Sequence, residues 1–248
     1  MGTKWAVTAL ILGHHLIKKK IFFPGCDESE EFWVPVTAAA LSDGVHCIVV
    51  DTGHHDTNWV CRHMSPATCT PQEHLLTALR SELGWAPEDV DIVINTHLHF
   101  NHCGNNSKFP NARFVTHRRE WAAACQPPAG QENLYLPSLY GPEAVAPERW
   151  QFVDRDTQFL DGLRLIETPG HSAGHISVLV ETEEGVLCVA GDMCCTLRNL
   201  QEGIVGSSAY SPEQTTASYE KVRHLAQRVL PGHDSCIRPF QHTQFPLI

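Results

Sequence analysis

The sequence predicts one domain of mixed α/β class. Short, strongly apolar runs of strand character alternate with segments of helical periodicity along the whole chain. With 248 residues it is long enough for one sizeable core and close to the size at which single cores stop growing. No linker separates two composition regimes and no internal repeat is visible, so residues 1–248 read as one unit. Hydrophobic residues at 42% and charged residues at 19% are ordinary for a globular chain.

Strands are expected at Trp5–Leu12, Val34–Leu41 and His46–Val50, the last an almost unbroken apolar run stopped by Asp51-Thr52-Gly53, as in a strand buried on both faces. The apolar stretch Ala6–Gly13 superficially resembles a secretory leader. It is short and runs into His14-His15 and Lys18-Lys19-Lys20, which fits a first strand better. A helix is expected over Pro71–Leu83: Thr70 is the cap, Pro71 takes the first position, and Leu75, Leu76, Leu79 and Leu83 form one stripe before Gly84. The strand Val90–Asn95 then delivers the chain into Thr96-His97-Leu98-His99-Phe100-Asn101-His102. Ala112–Thr116 reads as a strand and Arg118–Cys125 as a helix. The Pro- and Gly-rich segment from Gln126 to Trp150 reads either as a substrate-covering loop, with Tyr135 and Tyr140 as ligand contacts, or as a surface loop packed by its own aromatics. Strands follow at Leu163–Glu167, Ile176–Glu181 and Val186–Ala190, the last two joined by Glu183-Glu184-Gly185. Pro212–Leu225 is a helix, and Arg228–Leu230 leads into Pro231-Gly232-His233-Asp234.

A net charge of -10 opposes binding to a phosphate backbone, which excludes nucleic acid as a partner. No stretch reaches the ~20 apolar residues that cross a bilayer, which excludes a membrane role. Ten cysteines in a chain of this size suggest reduced thiols rather than a disulfide framework, hence a cytoplasmic protein, monomer or homodimer, acting on a small-molecule substrate.

Sixteen histidines against eighteen Lys+Arg is the unusual feature, since imidazole is the commonest metal ligand. His97 and His99, two residues apart, fall on one side of an extended segment and can face one ion. His102 points elsewhere if the chain turns at Asn101, toward a second ion. Three more candidates follow a Gly at a strand end: His171 after Thr168-Pro169-Gly170, Asp192 after Ala190-Gly191, and His233 after Leu230-Pro231-Gly232. Five histidines and one aspartate suffice for two ions if Asp192 bridges them. His54 and His55 read as pocket-mouth or surface imidazoles, His117 and His175 as supports behind the ligands or structural, and Cys103 as a packed thiol.

These motifs, in this order and with Asp51 at an early strand end, resemble those of the metallo-β-lactamase superfamily over nearly the whole chain. The run from Thr96 through His102-Cys103-Gly104-Asn105-Asn106 to Phe109-Pro110, and Thr168-Pro169-Gly170-His171-Ser172-Ala173-Gly174-His175, look most like its N-acyl-homoserine lactonase and pyridoxolactonase branch. The resemblance implies a four-layer αββα sandwich. It places His97, His99 and His171 on a first ion and His102 and His233 on a second, with Asp192 as bridge and Asp51 behind them orienting an imidazole. The ion implied is Zn2+ at two sites, with Fe or Mn as alternatives.

Two positions depart from that pattern. Asn101 stands where the family carries an Asp that binds the second metal and protonates the leaving group, so the second ion should be held less tightly. Cys195 stands where the lactonase branch commonly carries a Tyr. The activity implied is hydrolysis of a small cyclic ester, such as an N-acyl-homoserine lactone, by hydroxide generated on the metal, with positions 101 and 192 (Asn101 and Asp192) at the reacting centre. An enzyme of that kind would act in quorum quenching. The alternatives are a thioester or cyclic-amide hydrolase of the same fold, or a metal-containing binding protein impaired by Asn101.

Overall fold

The computed structural model describes residues 2–248. Its layering follows from two-residue alternation. In the first strand, β1 (Ala6–Lys18), Val7, Ala9 and Ile11 enter one core while Leu10 and Leu12 enter another on the opposite face. The strands β2 (Glu31–Ser42), β3 (Cys47–Val50), β4 (Ala67–Thr68), β5 (Ile92–Ile94), β6 (Arg113–His117) and β7 (Trp150–Val153) complete a seven-stranded sheet in the order β4-β1-β2-β3-β5-β6-β7. From β3 to β7 the pairing is parallel. The second sheet holds β8 (Thr157–Leu160), β9 (Leu163–Glu167), β10 (Ile176–Thr182), β11 (Gly185–Gly191) and β12 (Arg228–Pro231) in the order β12-β11-β10-β9-β8.

Between the sheets, Ile48, Val50, Ile92 and Ile94 meet Leu165, Val178, Leu187 and Val189. Burying each such side chain contributes about 1.5–3 kcal/mol. The outer face of the first sheet is covered by α1 (Thr57–His63), α2 (Leu75–Leu83), α3 (Phe100–Cys103) and α4 (Arg118–Cys125). The outer face of the second is covered by α5 (Leu197–Glu202) and α6 (Pro212–Leu225), which set Leu200, Tyr219 and Val222 against Ile166, Leu179 and Val229. The result is the expected αββα sandwich.

Several local expectations are corrected. β1 runs on to Lys18, because an irregularity between Ile11 and His14, with Gly13 at φ 112°, lets the chain resume pairing with β2. The helix expected from Pro71 is interrupted. The Thr70–Glu73 capping box closes a 3-10 turn, His74 is extended at ψ 126°, and α2 begins only at Leu75. α1, capped by Asp56 accepting from Trp59 N, was not anticipated, nor were α5, β7 and β8. The segment from Gln126 to Trp150 is packed by its own aromatics. Tyr135, Tyr140 and Trp150 are buried, and Tyr135 bridges to His99.

Candidate metal centre

The candidate ligands and Asp51 behind them leave the C-terminal ends of strands at one edge of the two sheets: Asp51 after β3, the His97–His102 run after β5, His171 after β9, Asp192 after β11 and His233 after β12. His99 is still extended, at φ -68° and ψ 152°, and α3 starts at Phe100, so Asn101 and His102 turn away from the line of His97 and His99. Gly232 allows a close approach to Asp192. A Cβ there would lie 2.6 Å from Asp192 Oδ1.

His97, His99 and His171 offer ligand atoms within 4.8 Å of one another, as do His97, His102 and Asp192. His99 Nδ1 and His171 Nε2 are 3.1 Å apart. Asp192 sits among the rest, with Oδ1 3.2 Å from His102 Nε2 and 3.1 Å from His233 Nε2, and Oδ2 3.4 Å from His171 Nε2 and 4.0 Å from His97 Nε2.

The remote nitrogens fix which lone pairs face inward. His102 Nδ1 donates to Asp51 Oδ2 at 2.8 Å and His233 Nδ1 to the Pro35 carbonyl at 2.6 Å. His97 Nδ1 lies 3.0 Å from Thr96 Oγ1, which itself donates to Asp51 Oδ2 at 2.7 Å. Each therefore turns its Nε2 toward Asp192, the arrangement in which an outer partner sets ring orientation and basicity. Asp51 also accepts from Thr96 N and holds φ at 61°, in the left-handed region at the strand end.

The donor set fits divalent ions. Nε2 of His97 and Nε2 of His99 are buried without a hydrogen-bond partner, a costly state unless a cation accepts their lone pairs. Burial holds His97 and His99 well below the ordinary imidazole pKa and brings His171 down to about 4, leaving neutral donors. Burial also resists charge on Asp192, but His233, His102 and His171 around it keep its carboxyl well below the usual range. At His102, Asp192 and Asp51 on either side overcome burial and raise the pKa to about 10.

Asn101 is buried on α3 with its Nδ2 3.5 Å from His233 Nε2, so position 101 does face the second half of the site. Cys195 lines a small cavity beside Asp192 and His171, together with Phe22, Thr215 and Tyr219. The expectation that Tyr135 and Tyr140 present polar tips to a substrate is corrected. Both are 3% exposed, and their hydroxyls donate inward to Glu120 Oε1 and the Ala124 carbonyl, each at 2.9 Å.

His175 has both ring nitrogens engaged, by Thr168 and Met193 N, and His117 caps α4. His54 is buried and His55 exposed, while the Cys103 thiol is buried against the Leu98 and His99 carbonyls. Sequence reasoning missed Thr96, the Pro35 carbonyl and Glu120. Only Glu120 carried a signal: it precedes Ala123 and Ala124 by three and four positions, on the helix face that turns inward.

A family model described as "Metallo-beta-lactamase superfamily" matches residues 32–233. Among curated relatives, an N-acyl homoserine lactonase of Bacillus cereus is 29% identical over 170 residues, covering 66% of this chain and 64% of the relative. N-acyl homoserine lactonase AttM of Azorhizobium caulinodans is 34% identical over 163 residues, covering 61% of each. The chain thus spans less than two thirds of the length of these relatives. Among solved structures, an N-acyl homoserine lactone hydrolase with N-hexanoyl-L-homoserine bound at its catalytic metal centre superposes with a TM-score of 0.83 at 23% identity, over 97% of this chain and 98% of that one. AidC, a dizinc quorum-quenching lactonase, gives 0.71 at 16% identity over 94% and 88%. These likenesses establish the shared fold. Since the span matched by the family model takes in every candidate ligand from His97 to His233, the chain belongs to the metallo-beta-lactamase superfamily.

Proposed function

We propose that this protein is a metal-dependent hydrolase that opens a small cyclic ester of the N-acyl-homoserine lactone kind, with Zn2+ as its resident ion. The observation that carries the reading is the convergence of four imidazoles on Asp192, with His99 beside His97 and His171, and with buried lone pairs left unpartnered. The relatives named above as lactonases support the substrate class. Residues 1–248 form one hydrolase domain in this reading, supported by the core that the two sheets share, where Ile48 and Val50 meet Leu165 and Val178. No helix among the described residues is long and apolar enough to cross a membrane. All ten cysteines are free, which supports a reducing, cytoplasmic setting.

His97, His99 and His171 would hold one ion, His102 and His233 the other, with Asp192 between them. Ions bound there supply Lewis-acid polarisation of the carbonyl and activation of water for attack. The protein's own part is to fix the donors. Asp51, Thr96 and the Pro35 carbonyl anchor three imidazoles from behind, so ligand geometry is set before substrate arrives. Asn101 carries no titratable proton, so an alkoxide leaving from its side of the site takes its proton from solvent. This same feature favours a second reading, thioester hydrolysis, because a thiolate leaves without protonation.

The test is a panel of N-acyl lactone, thioester and cyclic amide assayed with Zn2+-loaded protein. Lactone opening with the highest kcat/KM is expected. Faster thioester cleavage would transfer the assignment to that class, and no turnover of any would make the chain a metal-containing binding protein.

A further inference from the structure

The carboxylate of Glu120, on α4, is completely buried, and no Lys, Arg or His forms an ion pair with it among the described residues. It is satisfied by four donors instead. Oε1 accepts from Leu98 N at 3.0 Å and Tyr135 OH at 2.9 Å, and Oε2 from Ser172 Oγ at 2.6 Å and Gly174 N at 3.1 Å. Four donors saturate the lone-pair sites of one carboxylate. Bonds to an ionised acceptor are the stronger class, and more so in a low-dielectric interior.

These donors come from the segments that carry the first ligand triad. Leu98 lies between His97 and His99, and Ser172 follows His171 directly. Tyr135 packs edge-on against the His99 ring with centroids 4.6 Å apart. The His171 loop is also pressed against the start of α4, where any Cβ at Gly174 would collide with the Glu120 backbone. One side chain therefore ties the His97–His99 segment to the His171 loop behind the point where His99 Nδ1 and His171 Nε2 stand 3.1 Å apart.

We infer that Glu120 is a positioning residue for the first metal site: its carboxylate sets the separation of His99 and His171 through Leu98, Ser172, Gly174 and Tyr135. An apolar side chain would fill the same space but would not fix the direction of two ligand segments. The role rests on the metal-centre reading above, and it concerns ligand geometry rather than contact with substrate.

The experiment compares wild-type protein with Glu120→Gln, Ser172→Ala and Tyr135→Phe, each loaded with Zn2+ and, separately, with Co2+. Zn2+ affinity is read by chelator competition, ligand geometry by the visible Co2+ spectrum, and folding by circular dichroism and Tm. Glu120→Gln keeps the size of the side chain but puts an amide NH2 opposite a backbone N–H at Leu98 or Gly174. It should weaken the ion held by His97, His99 and His171 by about 10–100-fold and alter its Co2+ spectrum, leaving the other ion in place. Ser172→Ala and Tyr135→Phe, each removing one donor, should move the same spectrum less.

A folded Glu120→Gln protein with wild-type Zn2+ affinity and Co2+ spectrum would overturn the proposal. If that variant does not fold, unchanged spectra in both single-donor variants would overturn it equally. Wild-type protein that binds no ion would remove the metal centre itself, and this role with it, an outcome distinct from a wild type that binds both ions beside an unaffected variant.

Discussion

Asn101 Nδ2 lies 3.5 Å from Nε2 of His233, so a neutral amide occupies the part of the site where a carboxylate would both bind an ion and carry a proton. Asn101→Asp supplies both functions at once. Turnover should rise by about 10²–10⁴-fold, the usual size of general acid–base assistance. Occupancy of the ion held by His102 and His233 should rise with it. The check is kcat and metal stoichiometry of both proteins under saturating Zn2+. An Asp variant that holds two ions yet hydrolyses nothing faster would refute this account.

Removing ligands should separate the two ions. Ala at His97, His99 or His171 should abolish binding at the first site, with the larger loss of activity, whereas Ala at His233 should deplete only the second. Elemental analysis after dialysis measures this directly. Equal loss of both ions from every variant would mean that the sites do not exist independently.

Asp51 is buried behind His102, where it accepts from His102 Nδ1 and from Thr96 N and Oγ1. Asp51→Asn should lower affinity for the second ion by about 10–100-fold, because the amide no longer holds the His102 tautomer. Chelator competition on the variant gives the number.

Tyr140 donates to the Ala124 carbonyl from a buried position, so Tyr140→Phe should cost about 1 kcal/mol of stability and leave KM unchanged. Urea unfolding and Michaelis kinetics on one preparation distinguish this from a substrate contact. A raised KM at unchanged stability would restore the ligand role expected from sequence.

Acid sensitivity should arise partly at His15 and His54, which lie 3.4 Å apart beside Phe100. Burial, reinforced at His15 by His54, lowers their pKa values to about 3 and about 4 in the folded protein. The unfolded chain binds these protons near the ordinary value of 6.5, so it is favoured as pH falls. The contribution is complete above pH 6.5 and declines toward pH 4. The double variant His15→Gln, His54→Gln should show a shallower loss of unfolding free energy between pH 7 and 5 at fixed Zn2+. An unchanged slope would assign the acid sensitivity to other groups.

The sequence by itself determined the strands that lead into the site and the residue types at their ends. Val90 to His102 reads as a buried strand followed by a dense run of imidazoles because both signals are local: apolar continuity in one case, two-residue spacing in the other. The three Gly-preceded candidates are local as well, since a tight turn at a strand end leaves its mark within four residues. What only tertiary structure decided are the relations between residues far apart in the chain. The His233 tautomer depends on a carbonyl at Pro35, and the spacing of His99 and His171 on a carboxylate in α4. The two readings of Tyr135 stay open in the sequence for the same reason. An aromatic in a Pro-rich segment has the same sequence signature whether its hydroxyl meets solvent or a buried carboxylate, and only the packing of that segment against α4 settles which.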